Sequence, residues 1–271
     1  MASFDNVTKT SLRKIKKHGY KDTEVKSPHE EMRLKGDSSI VLYKTGKLLV
    51  QGSPANVRET IKLLKFLGIT ESKKCFSGCA IGTDETLKGD TFGGLVVAGF
   101  KADDRIRQEL EGMGVKDSKA LLKPDIVKIA RELIERYPDN YHMESIFPKE
   151  YNKLNMKHNV TEIMDMMHEK CYRKLKGRSD IIHIVDLYPG CKVGDIKEAK
   201  AESKYLEVAA ASIIARYGGL KQIRELEQQA GFFIPFGSTN VQAALIEIKK
   251  KSLKPVNFVK MKFRNVQQFF P

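Results

Sequence analysis

The chain has 271 residues, 41% of them hydrophobic, which is enough to bury a core and argues against a disordered chain. A formal net charge of +14 favours polyanionic partners, nucleic acid ahead of an anionic membrane surface. Cys75, Cys79, Cys171 and Cys191 fit neither a zinc spacing nor a dense disulfide framework, and no apolar run is long enough for a signal peptide or a membrane span. An intracellular, reducing location is expected.

The segment TSLRKIKKHGYK reads as a short basic helix closed by Gly19. In EEMRLKGDSSIVLYKTGKLLVQG, Ile40 and Leu42, then Leu48 and Val50, alternate with other residues. Gly46 in KTGK supplies the turn of a hairpin. Ser53 is placed to cap a helix, Pro54 to begin it and Gly68 to end it, with Ile61, Leu64 and Leu67 on one face. These elements predict a small unit over residues 1–68, and the polar, aperiodic ITESKKCFSG predicts a linker at 69–77.

From residue 78 to 271 the pattern changes. An apolar strand leads through a Gly-rich turn to a second strand, FGGLVVAGF. KPDIVKIARELIERY and VTEIMDMMHEKCYRKL read as helices, and DIIHIVDLYPG as a buried strand closed by Pro-Gly. AESKYLEVAAASIIARYGGLKQIRELEQQ reads as one helix with a stripe of small residues. Strands alternating with helices predict an α/β fold with helices on the faces of a sheet.

Four features compete for a chemical role. Asp84 and Glu85 are adjacent, and adjacent strand residues point to opposite faces. They reach one site only if the strand ends or twists there; otherwise they are a strand-end pair facing water. Asp186 shares a strand face with Ile182 and Ile184, where a lone carboxylate is costly unless paired or metal-bound. The alternative is a cap on the Tyr188-Pro189-Gly190 turn. Glu202 precedes the small residues Ala209, Ala210, Ala211, Ser212 and Ala215, and an acid near a helix start is favoured by the macrodipole alone. Leu87-Lys88-Gly89 resembles a phosphate loop, but GTDETLKGDT fails the Walker A pattern and no G-x-G-x-x-G follows a strand. What remains is backbone free to approach a ligand at Gly89, Gly93 and Gly94. The absence of H-E-x-x-H and of G-x-S-x-G argues against a zinc hydrolase and a serine nucleophile. Acids at strand and helix ends of a basic chain suggest hard cations held against phosphate, since gathered carboxylates need protons or metal ions.

GTDETLKGDTFGGLVVAG, GVKDSKAL, IVDLYP and AESKYLEVAAASIIAR, in this order over most of residues 78–217, resemble the type 2 ribonuclease H family, and within it the ribonuclease HIII group. KPVNFVKMKFRNV more weakly resembles the family's C-terminal basic strand or tail. The resemblance implies a ribonuclease H-like mixed sheet flanked by helices, preceded by a small α+β substrate-binding domain of the TATA-binding-protein type. It implies endonucleolytic hydrolysis of the RNA strand of RNA/DNA hybrids by a two-metal mechanism with Mg²⁺ or Mn²⁺, leaving 5′-phosphate and 3′-hydroxyl ends. Asp84 and Glu85 match the family's Asp-Glu pair, Asp186 its third acid and Glu202 its fourth, and all four are implied as catalytic metal ligands. Lys88, Gly89, Ser118 and Lys119 are the implied substrate contacts.

Two residues depart from the pattern. Leu87 stands where the family has the first Gly of a Gly-basic-Gly triplet, and its side chain is expected to crowd the ribose contact. Gly94 stands where Pro is common. Arg13, Lys14, Lys16 and Lys17, with Lys44 and Lys47, either hold the duplex away from the cut or form a solvated basic face. A cytoplasmic monomer without an organic cofactor is expected. The alternatives are a hybrid-binding protein with impaired catalysis and cleavage at RNA–DNA junctions of the ribonuclease HII kind.

Overall fold

Alternating burial sets the first sheet. In the computed structural model, which describes residues 2–4, 7–69, 78–115 and 121–270, the chain divides into two compact units, 1–75 and 76–271. Strands β1 (Ala2–Phe4), β2 (Lys21–Thr23), β3 (Glu30–Lys35), β4 (Ser39–Tyr43) and β5 (Leu48–Gln51) of the first unit form an antiparallel sheet in the order β1-β5-β4-β3-β2. Met32, Leu34, Ile40, Leu42, Leu48 and Val50 share its buried face. They pack with Leu12 of α1 (Lys9–Leu12), and with Val57 and Leu64 of α2 (Pro54–Phe66). The predicted hairpin is β4–β5, with Gly46 at φ 80°. Ser53 Oγ caps α2 by accepting from Asn56 N–H at 3.2 Å. The predicted basic helix is one α-turn followed by a 3₁₀ helix, Arg13–His18, ending at Gly19 with φ 85°. With only Leu12 and Ile15 buried on it, little packing enforces a longer α-helix.

The second unit holds the expected mixed sheet. Strands β6 (Ala80–Thr86), β7 (Leu95–Ala102), β8 (Tyr141–Ile146), β9 (Ile182–Asp186) and β10 (Ile196–Glu198) lie in the order β10-β9-β6-β7-β8. Central β6 runs antiparallel to β7 and parallel to β9. Helices follow as α3 (Asp104–Gly112), α4 (Lys123–Arg136), α5 (Pro148–Asn155), α6 (Val160–Lys176), α7 (Ala201–Lys204), α8 (Leu206–Ala230), α9 (Gln242–Lys250) and α10 (Arg264–Gln267). Strand alternation sends Ala98, Phe100 and Ala102 of β7 into a core with α3, α4 and α8, and Leu95 and Val97 into a core with α6. The small-residue stripe of α8 serves close approach: a Cβ on Gly82 would sit 2.4 Å from Val208 N. Among the described residues no helix is long and apolar enough to cross a membrane.

Two expectations are corrected. The helix predicted from Ala201 onward breaks at Tyr205, which is extended at φ −118°, ψ 127°. The break is tied to β10, because Glu198 accepts from Tyr205 Oη at 2.8 Å and from Lys204 Nζ at 2.7 Å. The segment likened to a basic strand or tail is instead a 3₁₀ turn (Pro255–Asn257), a single bridge from Val259 to Phe92, and α10. Phe258, Val259, Lys260 and Val266 are buried there, because apolar residues flank each lysine and anchor the segment to the core.

Candidate active site

The pairing of β6 with β7 fixes where two of the four predicted acids point. Asp84 lies opposite Ala98 and Glu85 opposite Val97, and directly opposed residues share a face. Asp84 therefore leaves on the α8 side and Glu85 on the α6 side, while the strand continues to Thr86. Each carboxylate meets different company.

On the α8 side, the Ser212 hydroxyl hydrogen-bonds the Asp84 carboxylate. The Glu85 N–H also donates to Asp84 Oδ1 at 2.8 Å. Burial, followed by the charges of Glu85 and Asp186, pushes Asp84 well above the usual carboxylate range; the hydroxyl offsets only part of this.

On the α6 side, Glu85 Oε1 accepts from Lys88 Nζ at 2.7 Å, and Oε2 lies 3.4 Å from Nε2 of the fully buried His168. That second separation is long, and neither atom has a hydrogen-bond partner among the described residues. Burial by itself raises Glu85, but His168 and Lys88 outweigh it and hold the group below the ordinary glutamate value. Behind His168 runs a buried polar chain. Its Nδ1 lies 2.7 Å from Thr83 Oγ1, which lies 2.9 Å from His183 Nε2. His183 stacks on Tyr172, with ring centroids 4.4 Å apart and planes 5° apart. Burial, helped by neighbouring His168, pushes His183 down to about 3, so it is neutral at pH 7. The chain thus runs from His183 Nε2 through the Thr83 hydroxyl to His168 Nδ1, with His168 Nε2 turned to Glu85.

Asp186 ends β9, one residue beyond the Thr83–Val185 pair, which brings it beside Asp84. Its Oδ1 accepts the N–H of Ala201, the first residue of α7, at 2.9 Å. Glu202 follows and is only 1% exposed, which a solvated helix-start acid would not be. The structure thus puts Asp84 beside Asp186, Glu85 next along β6, and Glu202 one residue past Ala201, the residue whose N–H Asp186 holds.

The loop after β6 supplies Lys88 and Gly89. The Lys88 side chain is 39% exposed and its Nζ lies 5.6 Å from the centre of the Tyr188 ring. Gly89 is exposed, and a Cβ there would meet nothing within 4 Å, so the chain's own packing does not demand glycine. Leu87 does not crowd the surface. Its side chain is 3% exposed, in one core cluster with Phe92 and Ile223. What departs from habit is its backbone, left-handed at φ 66°, which costs a side-chain-bearing residue about 1–2 kcal/mol. At Gly94 a Cβ would lie 2.0 Å from Ile146 O, and the N–H donates to Gln222 Oε1 at 2.7 Å, so proline would lose both the fit and the bond. Ser118 and Lys119 lie outside the described residues.

Sequence reasoning missed Thr83, His168, His183 and Ser212. The available signal was a histidine inside the apolar run of β9 and another on the apolar side of α6.

Residues 81–266 match the family model for ribonuclease HII. Ribonuclease HIII of Bacillus velezensis is 30% identical over 85% of this chain and 84% of its own length. Ribonuclease HIII of Aquifex aeolicus is 32% identical over 89% of this chain and 90% of its own. Among solved structures, Bst-RNase HIII in complex with Mn²⁺ superposes with a TM-score of 0.67 at 25% identity, covering 99% of this chain and 98% of that one. The chain therefore belongs to the ribonuclease HII family, within it to the ribonuclease HIII group, and is an enzyme of the ribonuclease H type.

Proposed function

We propose that this chain hydrolyses the RNA strand of RNA/DNA hybrids with Mg²⁺ or Mn²⁺, two ions in the active complex, leaving 5′-phosphate and 3′-hydroxyl ends. Asp84 carries the reading. It is buried with the charges of Glu85 and Asp186 acting on it, and a carboxylate raised by burial and then by like charges is one that a cation would return to its ionised form. Asp84, Glu85, Asp186 and Glu202 offer oxygen donors alone, which suits a hard cation. Among the described residues no three His, Cys, Asp or Glu side chains stand grouped so as to hold an ion by themselves.

When bound, the cations would supply Lewis acidity at the scissile phosphate and an acidified water for attack. The chain's own groups bind and orient. Asp84 is the central ligand, fixed by Ser212 on one side of the sheet. Asp186 and Glu202 complete the set from β9 and α7, and His168 orients Glu85 from behind. Lys88 exchanges Glu85 for a substrate phosphate as the hybrid arrives, freeing Glu85 Oε1. The exposed backbone at Gly89 approaches the 2′-hydroxyl, the group that tells RNA from DNA. In this reading residues 1–68 form a substrate-binding domain of the TATA-binding-protein type, 69–77 link it, and 78–271 carry the chemistry. Arg13, Lys14 and Lys17 are exposed and available to phosphates, with Lys44 and Lys47 at the hairpin, whereas Lys16 is paired with Asp22. The enzyme acts as a cytoplasmic monomer.

Cleavage of an end-labelled RNA/DNA hybrid, with and without Mg²⁺ or Mn²⁺, tests this. Metal-dependent cuts with 5′-phosphate ends are expected. Binding without cleavage would leave a hybrid-binding protein, and cutting confined to a single ribonucleotide embedded in DNA would mark a junction enzyme.

A further inference from the structure

Lys260 is 0% exposed, although it stands in the basic C-terminal segment. Its Nζ donates to the Leu87 carbonyl at 2.8 Å and to the Asp90 carbonyl at 2.6 Å. These two carbonyls bracket Lys88 and Gly89. The Tyr151 and Phe263 rings flank the nitrogen at 5.4 and 5.3 Å. The same segment grips the next part of the loop. Lys260 N–H donates to Thr91 O at 3.0 Å, Gly93 N–H to Phe258 O at 3.1 Å, and Asn265 Nδ2 to Thr91 Oγ1 at 2.8 Å.

A physical need explains a lysine here. Glycine takes a left-handed turn by its own preference, but leucine does not, so with Leu87 at φ 66° support from outside adds to what the turn's own backbone bond supplies. The Leu87 carbonyl takes the turn's own Asp90 N–H at 3.2 Å and has a second lone pair to offer, and Lys260 Nζ joins it to the Asp90 carbonyl. One long side chain with several protons satisfies both. Burial pushes the Lys260 ammonium down to about 7, with Asp90 acting against the shift. An ammonium has three protons and an amine two, so both bonds persist in either state.

We propose that Lys260 is a positioning residue for the substrate: it holds the Leu87–Asp90 turn so that Lys88 and Gly89 stand where they meet phosphate and ribose. The burial of Lys260 and the departure at position 87 then have one explanation. The inference rests on the reading that Lys88 and Gly89 contact the hybrid.

Lys260→Met keeps the stem and removes both donors. Steady-state hybrid cleavage is compared for wild type, Lys260→Met, Lys88→Ala and the double variant, with the melting temperature of each. Metal-free hybrid affinity is followed in parallel by anisotropy. Lys260→Met is expected to raise KM and the dissociation constant about tenfold while kcat changes less than about threefold. The two penalties should not add, the double variant staying within about twofold of the worse single, because Lys88 works only in a positioned loop. A lowered melting temperature with unchanged KM and affinity overturns the proposal, as do additive penalties. If Lys260→Met does not fold, Asn265→Ala loses a half-buried bond of the same clamp and should raise KM about threefold at near-normal melting temperature; no rise overturns the proposal. Failure of the wild type to cleave would sink the proposed function, while the affinity comparison would still decide the role of Lys260.

Discussion

The two faces of β6 treat neighbouring carboxylates in opposite ways. On the α8 face, Asp84 sits by a wall of alanines with one hydroxyl, Ser212, and holds its proton well above the usual range. On the α6 face, Glu85 meets Lys88 and the head of a histidine–threonine–histidine chain, and gives its proton up more readily than a free glutamate. The strand thus presents one acid whose proton is held and a neighbour whose proton is released early. An apolar wall and a polar chain, only one residue apart along the strand, set the two states.

Removing the α8-side acid should have the largest effect. Asp84→Asn is expected to lower hybrid cleavage by about a thousandfold or more while hybrid affinity stays within about threefold; near-normal activity would end the assignment of Asp84 as central ligand. Cutting the α6-side chain comes next. His168→Phe removes the group behind Glu85 and should lower both kcat and Mn²⁺ affinity about 10- to 100-fold, the range for groups that orient metal ligands. Calorimetric titration with Mn²⁺ separates this from simple loss of fold, and unchanged affinity would make His168 a packing residue.

The same chain makes stability depend on pH. His183 is depressed in the folded state, so the unfolded chain binds more protons between about pH 6.5 and 3. The stability is present above pH 6.5 and is lost as pH falls, about 2 kcal/mol of it by pH 5. Denaturant melts at pH 7, 6 and 5 should show this slope in wild type and a flatter one in His183→Gln, which takes no proton. The smallest effect belongs to the lone hydroxyl. Ser212 lowers the Asp84 pKa, so Ser212→Ala should move the acid limb of the pH–rate profile upward and slow cleavage at pH 7 about threefold. A profile that does not move would leave the hydroxyl without influence on Asp84.

The candidate acids were legible as motif residues, but their directions were not. Adjacent acids on a strand always diverge; what each one faces depends on the pairing of Asp84 with Ala98 and Glu85 with Val97, set by strands that local sequence does not align. The break at Tyr205 was hidden because AESKYLEV is helical by pattern and the cause is a tertiary bond to Glu198. Leu87 was read as a surface residue because nothing in a leucine announces φ 66°. Lys260 and Lys262 look alike in VKMKF, yet Lys262 is exposed and Lys260 is sealed in. Only the loop it serves distinguishes them.

The pairing of β6 with β9 has a consequence in time. Thr83 and His183 are 100 positions apart, and a parallel pair of this kind cannot zip from a tight turn. The β6–β7 hairpin is local by comparison and can form while Asp84 and Glu85 still lack Asp186, Glu202, Ser212 and His168. A refolding chain should therefore regain helix and hairpin signals before it regains cleavage. Recovery of cleavage would then report completed folding, since Asp186 comes beside Asp84 only once β9 has paired with β6.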